Sequence, residues 1–122
     1  MIAVNNNKKM GGNEAAAFGS MAVSLLDDES AVMVLPVDYG HVLIAESSSA
    51  THGMAWVRGS SSVKYAGGAN FDVVTNTVLE GTTGIDGKIT ISTNNNNFYV
   101  ENRSGAPVSL SITFLGMAAN RI

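Results

Sequence analysis

With 122 residues and no cysteine, the chain can bury a core as one domain, and it has no disulfide framework, thiolate nucleophile or Cys-ligated metal. Its 7 Lys and Arg against 10 Asp and Glu give a net charge of −3. No basic stripe is available to displace phosphate counterions, so nucleic acid is not an expected partner. Only 14% of residues are charged, while Ser, Thr, Asn and Gly abound, a composition that suits strands and turns better than helical surfaces.

Residues 1–19 read as an extended N-terminal arm. Within it, Asn13 followed by Glu14-Ala15-Ala16-Ala17-Phe18 could cap a short helix. Residues 20–122 read as a single β-sandwich domain. Met21, Val23 and Leu25 alternate with Ala22 and Ser24, and Asp27-Asp28-Glu29-Ser30 makes a polar turn. The apolar run 31–35 predicts a strand buried on both faces, ended by Pro36, which cannot donate to a ladder. Further strand candidates follow at 41–46, 53–58, 63–66, 70–74 and 77–80, with Trp56 expected as a core anchor.

The last third reads as a strand meander. Ile89 and Ile91 alternate with Lys88, Thr90 and Ser92, and Val108, Leu110, Ile112 and Phe114 alternate with Ser109, Ser111 and Thr113. Each pattern predicts a half-buried strand with one apolar face. Strand candidates recur every 8 to 12 residues, eight to ten in all, without alternating helices. The fold expectation is all-β: an antiparallel β-sandwich, jelly-roll-like, with an extended N-terminal arm.

No motif carries chemistry, so no catalytic, cofactor-binding or metal-binding residue is assigned. Gly84-Ile85-Asp86-Gly87-Lys88 imitates a phosphate loop. However, Thr82 stands where the first glycine is needed, Ile89 replaces the magnesium-binding hydroxyl, and a strand follows. A hairpin turn with Asp86-Gly87 supplying positive φ is the expected reading. The two histidines, His41 and His52, lack ligand spacing. Asp27-Asp28-Glu29 lacks the alternating spacing of a calcium loop and reads as a solvated turn. No Gly-x-Ser-x-Gly elbow marks a hydrolase.

Trp56 and Tyr99 are candidate sugar-stacking rings, Phe98 facing inward by alternation. Asn102-Arg103-Ser104 matches a glycosylation sequon and is taken as coincidence. No apolar core follows Lys8 and Lys9 to make a signal peptide, and the run 31–37 is too short for a bilayer. A soluble protein made in a cytosol, without a membrane partner, is expected.

The segment LEGTTGIDGKITIS…NNFYVENRSGAPVSLSITFLG, residues 79–116, resembles a C-terminal signature of small bacteriophage virion surface proteins. That signature pairs a Gly-Thr-Thr-Gly-x-Asp-Gly-Lys turn with a YxENR-x-G strand and turn and a last strand ending in Phe-Leu-Gly. LLDDESAVMVLPVDYGHVLIAES resembles the N-terminal half of the same group, which includes capsid decoration (cement) proteins and tail-fibre or spike domains. The resemblance implies a β-sandwich assembled as a homotrimer, with no catalytic residues.

The shortness of the chain favours a decoration protein that binds the major capsid protein on the outer surface of the virion and stabilises the head. Ile2, Val4, Lys8 and Lys9 in the arm are the expected capsid contacts, and Leu26 and Val74 are residues a trimer would bury. The alternative is a receptor-binding domain of a tail fibre or spike, with loops 47–51 and 94–97 reading host glycans.

Overall fold

A computed structural model of the chain describes residues 2–3, 20–47 and 51–118. The strands are β1 (Ile2–Ala3), β2 (Ser20–Leu25), β3 (Glu29–Val34), β4 (Val37–Glu46), β5 (His52–Arg58), β6 (Ser61–Gly67), β7 (Phe71–Val73), β8 (Ile89–Asn94), β9 (Asn97–Asn102) and β10 (Val108–Ala118). They form two five-stranded sheets, ordered β1-β3-β9-β8-β7 and β2-β10-β4-β5-β6, packed face to face as a β-sandwich. Every ladder is antiparallel except β7–β8.

The ends of the chain wind as in a jelly roll: β2 pairs with β10, and β3 with β9. In the middle, β4, β5 and β6 run as a plain meander. The expected C-terminal meander is interrupted, because β8 and β9 form a hairpin in one sheet and β10 crosses to the other. The proposed helix at residues 13–18 lies outside the described residues.

Period-two patterning builds the core. Val23 and Leu25 of β2, Val42 and Ile44 of β4, Ala55 and Val57 of β5, and Leu110, Ile112 and Phe114 of β10 face inward from one sheet. Ala31, Met33, Ile89, Ile91, Phe98 and Val100 answer from the other. Phe98 and Phe114 meet edge to face across the layer, with ring centroids 5.1 Å apart. Gly53 lets the Phe71 ring lie directly on the β5 backbone, where a Cβ would collide with it.

Two burial expectations are exchanged. The run 31–35 is buried on one face only: Ala31 and Met33 are in the core, whereas Val32 is half-buried and Val34 is exposed. Strand β8, expected to be half-buried, is buried on both faces, Thr90 and Ser92 included. The cause is the segment 74–88. Parallel neighbours cannot be joined by a tight hairpin, so the chain leaves β7, crosses the outer face of its sheet, and returns to start β8.

This segment is irregular, so the strand expected at 77–80 does not form. Gly87 does take positive φ (91°), and Lys88 N–H donates to Ile85 O (3.3 Å). That turn lies inside the crossover and does not join a hairpin. The tight hairpin is at Asn95-Asn96, both at positive φ (48° and 63°), which matches a type I′ turn between β8 and β9.

Trp56 is also displaced from its expected place. Its neighbours Ala55 and Val57 are fully buried, so alternation turns the indole to the outer face of its sheet, where it is half-buried. Replacing Phe114 with Ala is expected to destabilise the protein by about 3–5 kcal/mol, whereas Ser109→Ala on the outer face stays within about 0.5 kcal/mol. Urea unfolding of both variants checks this ordering.

Candidate functional site

Three consecutive residues at the end of β9, Glu101, Asn102 and Arg103, organise the loops at one end of the sandwich. Glu101 pairs across the sheet with Thr90 on one side and Ser30 on the other, and it points to the outer face, beneath the crossover. It is fully buried. Its Oε2 accepts the backbone N–H groups of Gly81 (2.8 Å) and Thr83 (3.0 Å), and its Oε1 accepts that of Gly84 (2.7 Å). A buried carboxylate needs such partners, and each charge-assisted bond contributes about 1.5–3 kcal/mol.

Gly84 is required sterically. A Cβ there would lie 2.7 Å from both Glu101 Oε1 and Thr90 Oγ1.

Asn102 is equally buried and faces the opposite way. Its Nδ2 donates to Leu25 O (3.3 Å), Leu26 O (3.1 Å) and Ala106 O (2.8 Å), while its Oδ1 accepts Ser104 N–H (2.9 Å). In the folded protein the amide nitrogen of this sequon is buried and engaged, so the fold leaves no room for a glycan on it.

Arg103 gathers the acidic turns. Its Nε donates to Asp28 (3.1 Å), its Nη1 to Gly84 O (2.9 Å), and its Nη2 lies 3.6 Å from Asp86. The guanidinium is held above its ordinary pKa chiefly by the Asp28 hydrogen bond, against the opposing effect of burial, with the charges of Asp86 and Glu101 adding. The acidic turn 27–29 is thus tied down by hydrogen bonds: Asp27 also accepts Gly105 N–H (2.9 Å), and Glu29 accepts Leu26 N–H (3.0 Å).

Among the described residues, no group of three or more His, Asp or Glu side chains is placed to hold a metal ion. Beside this end lies an open groove of about 330 Å³ bordered by Leu25, Leu26, Glu46 and Pro107. Among the described residues, Glu46 is the one titratable side chain on its wall.

The sequence-predicted positions are scattered over the molecule. Ile2 is in β1, where it pairs with Met33; Val4, Lys8 and Lys9 lie outside the described residues. The backbone of the loop 94–97 is tied down, while Asn95 and Asn96 stay exposed. Asn96 N–H donates to Gly59 O (3.1 Å), Leu35 N–H to Asn96 O (2.9 Å), and Asn95 N–H to Ser60 Oγ (2.9 Å). In the loop 47–51, Thr51 is buried and its carbonyl accepts Glu46 N–H (2.9 Å); residues 48–50 lie outside the described residues.

Phe98 faces inward and Tyr99 outward, as alternation predicts, but Tyr99 and Trp56 are on different sheets. Leu26 is exposed, and Val74 is half-buried with its N–H donated to Ile91 O (3.0 Å).

A second constellation, on the outer face of the β2-β10-β4-β5-β6 sheet, was missed by sequence reasoning. The ladders set Leu115, His41, Trp56 and Val63 in one row, with Met117, Tyr39 and Arg58 on one side of it and Thr113, Leu43, Met54 and Ala66 on the other. The ring of His41 lies 5.4 Å from that of Tyr65, tilted by 43°. No family model, curated protein or solved structure matches this chain.

Substituting Glu101 with Ala is expected to cost at least about 3 kcal/mol, because three amide donors lose one acceptor. Hydrogen exchange should show lost protection at Gly81, Thr83 and Gly84 together. Glu101→Gln should affect Gly84 first, since an amide NH₂ would then face a donor. Gly84→Ala should mimic Glu101→Ala, and Arg103→Met should loosen the turns at 28 and 86 while leaving the Gly81 amide protected.

Proposed function

We propose that this protein is a bacteriophage capsid decoration protein. In this reading it binds the outer surface of the head as a homotrimer, on the major capsid protein, and holds neighbouring capsid subunits together. One observation carries the reading. The parts of the sequence that resemble phage-surface proteins, Gly-Thr-Thr-Gly-x-Asp-Gly-Lys and Glu-Asn-Arg, are each other's hydrogen-bond partners. Glu101 accepts from Gly81, Thr83 and Gly84, and Arg103 donates to Gly84 and lies against Asp86.

The resemblance is therefore carried by one physically coupled unit and not by isolated turn composition. That unit immobilises loops and stiffens one end of the sandwich, which suits a load-bearing attachment protein. Many copies on one particle would make weak single contacts collectively durable, because each further contact forms at high effective concentration. The capsid contacts fall to the arm, with Ile2, Val4, Lys8 and Lys9 in that role.

The experiment is quantitative mass spectrometry of purified particles, joined to a heat and low-salt challenge of particles lacking the protein. Hundreds of copies per head, and heads that burst earlier without them, are expected. A handful of copies would move the protein to the tail as a receptor-binding domain, and unchanged resistance would rule out cementing. Light scattering of the free protein is expected to give three times the 12.7 kDa chain mass.

A further inference from the structure

The geometry points to a carbohydrate-binding platform on the outer face of the β2-β10-β4-β5-β6 sheet, built from Tyr39, His41, Trp56 and Tyr65 and suited to a neutral oligosaccharide. The two sheets differ in cover. On the other sheet the 74–88 crossover covers the outer face over β8 and the end of β9, where Thr90, Ser92 and Glu101 are fully buried, while Val34 of β3 stays exposed. No described segment crosses the outer face of this one. Of the large apolar side chains that stand exposed among the described residues, Tyr39, Leu43, Val63, Tyr65 and Met117 share it.

Its chemistry is selective. Four aromatic rings lie on neighbouring strands: Tyr39 and His41 on β4, Trp56 on β5, and Tyr65 on β6. His41 pairs directly with Trp56. Tyr65 is there because of a β-bulge. Met54 pairs with Ala66 and Ala55 with Lys64, so Tyr65 is the extra residue. Bulges re-aim side chains at binding sites, and this one brings the Tyr65 ring against His41. Among the described residues, the Nδ1 of His41 and the Oγ1 of Thr90 are the buried side-chain atoms without a hydrogen-bond partner, and the first lies beneath this face.

Aromatic faces carry negative charge density and attract the weakly positive C–H face of a sugar ring, while tyrosine and imidazole groups serve its hydroxyls. Arg58 is the one formal charge in the three rows, at the rim, which favours a neutral ligand.

Size decides between a sugar and a second protein. Four strands about 4.8 Å apart, and three rows about 6.7 Å apart, make a patch of roughly 400 Å² with its side-chain margin. A stable protein interface needs about 800 Å² on each partner. The patch is half of that, within the range of functional patches on monomers, and it matches a short oligosaccharide lying flat. The platform is independent of the capsid proposal, because it would operate on a head or on a tail.

The test uses Trp56, the sole tryptophan, as its own reporter. The full chain is titrated with cellohexaose, maltohexaose, xylohexaose and mannohexaose while indole fluorescence is followed. A saturable change with at least one sugar is expected. Tyr39→Ala and Tyr65→Ala, each removing a ring about half exposed (49% and 51%), should weaken it at least ~tenfold while circular dichroism stays unchanged. Tyr99→Ala, on the other sheet, should leave it intact.

No response to any of the four up to ~10 mM, or equal affinity in the two tyrosine variants, overturns the platform. So does light scattering in which the same two substitutions dissolve an oligomer, since the face would then belong to a second copy. Particle binding that survives Tyr39→Ala and Tyr65→Ala separates this inference from the capsid reading.

Discussion

The carboxylate of Glu101 is the constraint on which the rest of the arrangement depends. Buried on the outer face of its sheet, it accepts three amides of one loop, those of Gly81, Thr83 and Gly84. Those amides belong to the crossover required by the parallel β7–β8 pair. Once the crossover is pinned there, Leu79 is covered (2% exposed) although it lies outside the main core, and Thr90 and Ser92 are sealed beneath it. Ser92 Oγ accepts Thr77 N–H (3.1 Å), which extends the attachment along the strand. The sandwich thus gains a third layer on one side and none among the described residues on the other.

That asymmetry connects fold to function. A covered face presents irregular backbone held by hydrogen bonds, and the segment that covers it leaves Val78 and Ile85 outward. An open sheet face presents side chains in a regular grid, set by strand spacing and pleat. On the open face, ladder register places Tyr39, His41 and Trp56 as neighbours, and the bulge in β6 adds Tyr65. The hydrogen-bonded end is the part on which the capsid proposal rests, and the open face is the part on which the carbohydrate proposal rests. The two proposals draw on separate parts of one small domain.

Much of the sandwich is legible in the sequence because burial on one face leaves a period of two. The alternation in Val108, Leu110, Ile112 and Phe114 reads directly as β10, and that in Met21, Val23 and Leu25 as β2. Alternation also places Phe98 inside and Tyr99 outside. It cannot tell which outer face will be covered, because cover comes from a segment distant in sequence. That is why β8 looked half-buried and the run 31–35 looked doubly buried. Trp56 was misplaced because size alone suggested a core, although the small residue Ala55 and the branched Val57 beside it fill the inward positions.

The loop-organising end was visible only as a resemblance, Glu-Asn-Arg after a Gly-rich turn. Nothing local reveals that residues 17 to 20 positions apart share hydrogen bonds. The aromatic platform was less legible still. Its four rings come from three strands, and the bulge that admits Tyr65 leaves no composition signal. Charge patterning likewise could not show that Asp27, Asp28 and Asp86 converge on Arg103 and the 105 amide.

The covered-and-open asymmetry is tested most directly by hydroxyl-radical footprinting of the folded protein, read residue by residue by mass spectrometry. Adjacent Val78 and Leu79, 43% and 2% exposed, should differ sharply in modification, while Tyr39, Tyr65 and Met117 are labelled heavily. Leu79 modified as readily as Val78, or protection of Tyr39, Tyr65 and Met117 in the free chain, would contradict the account.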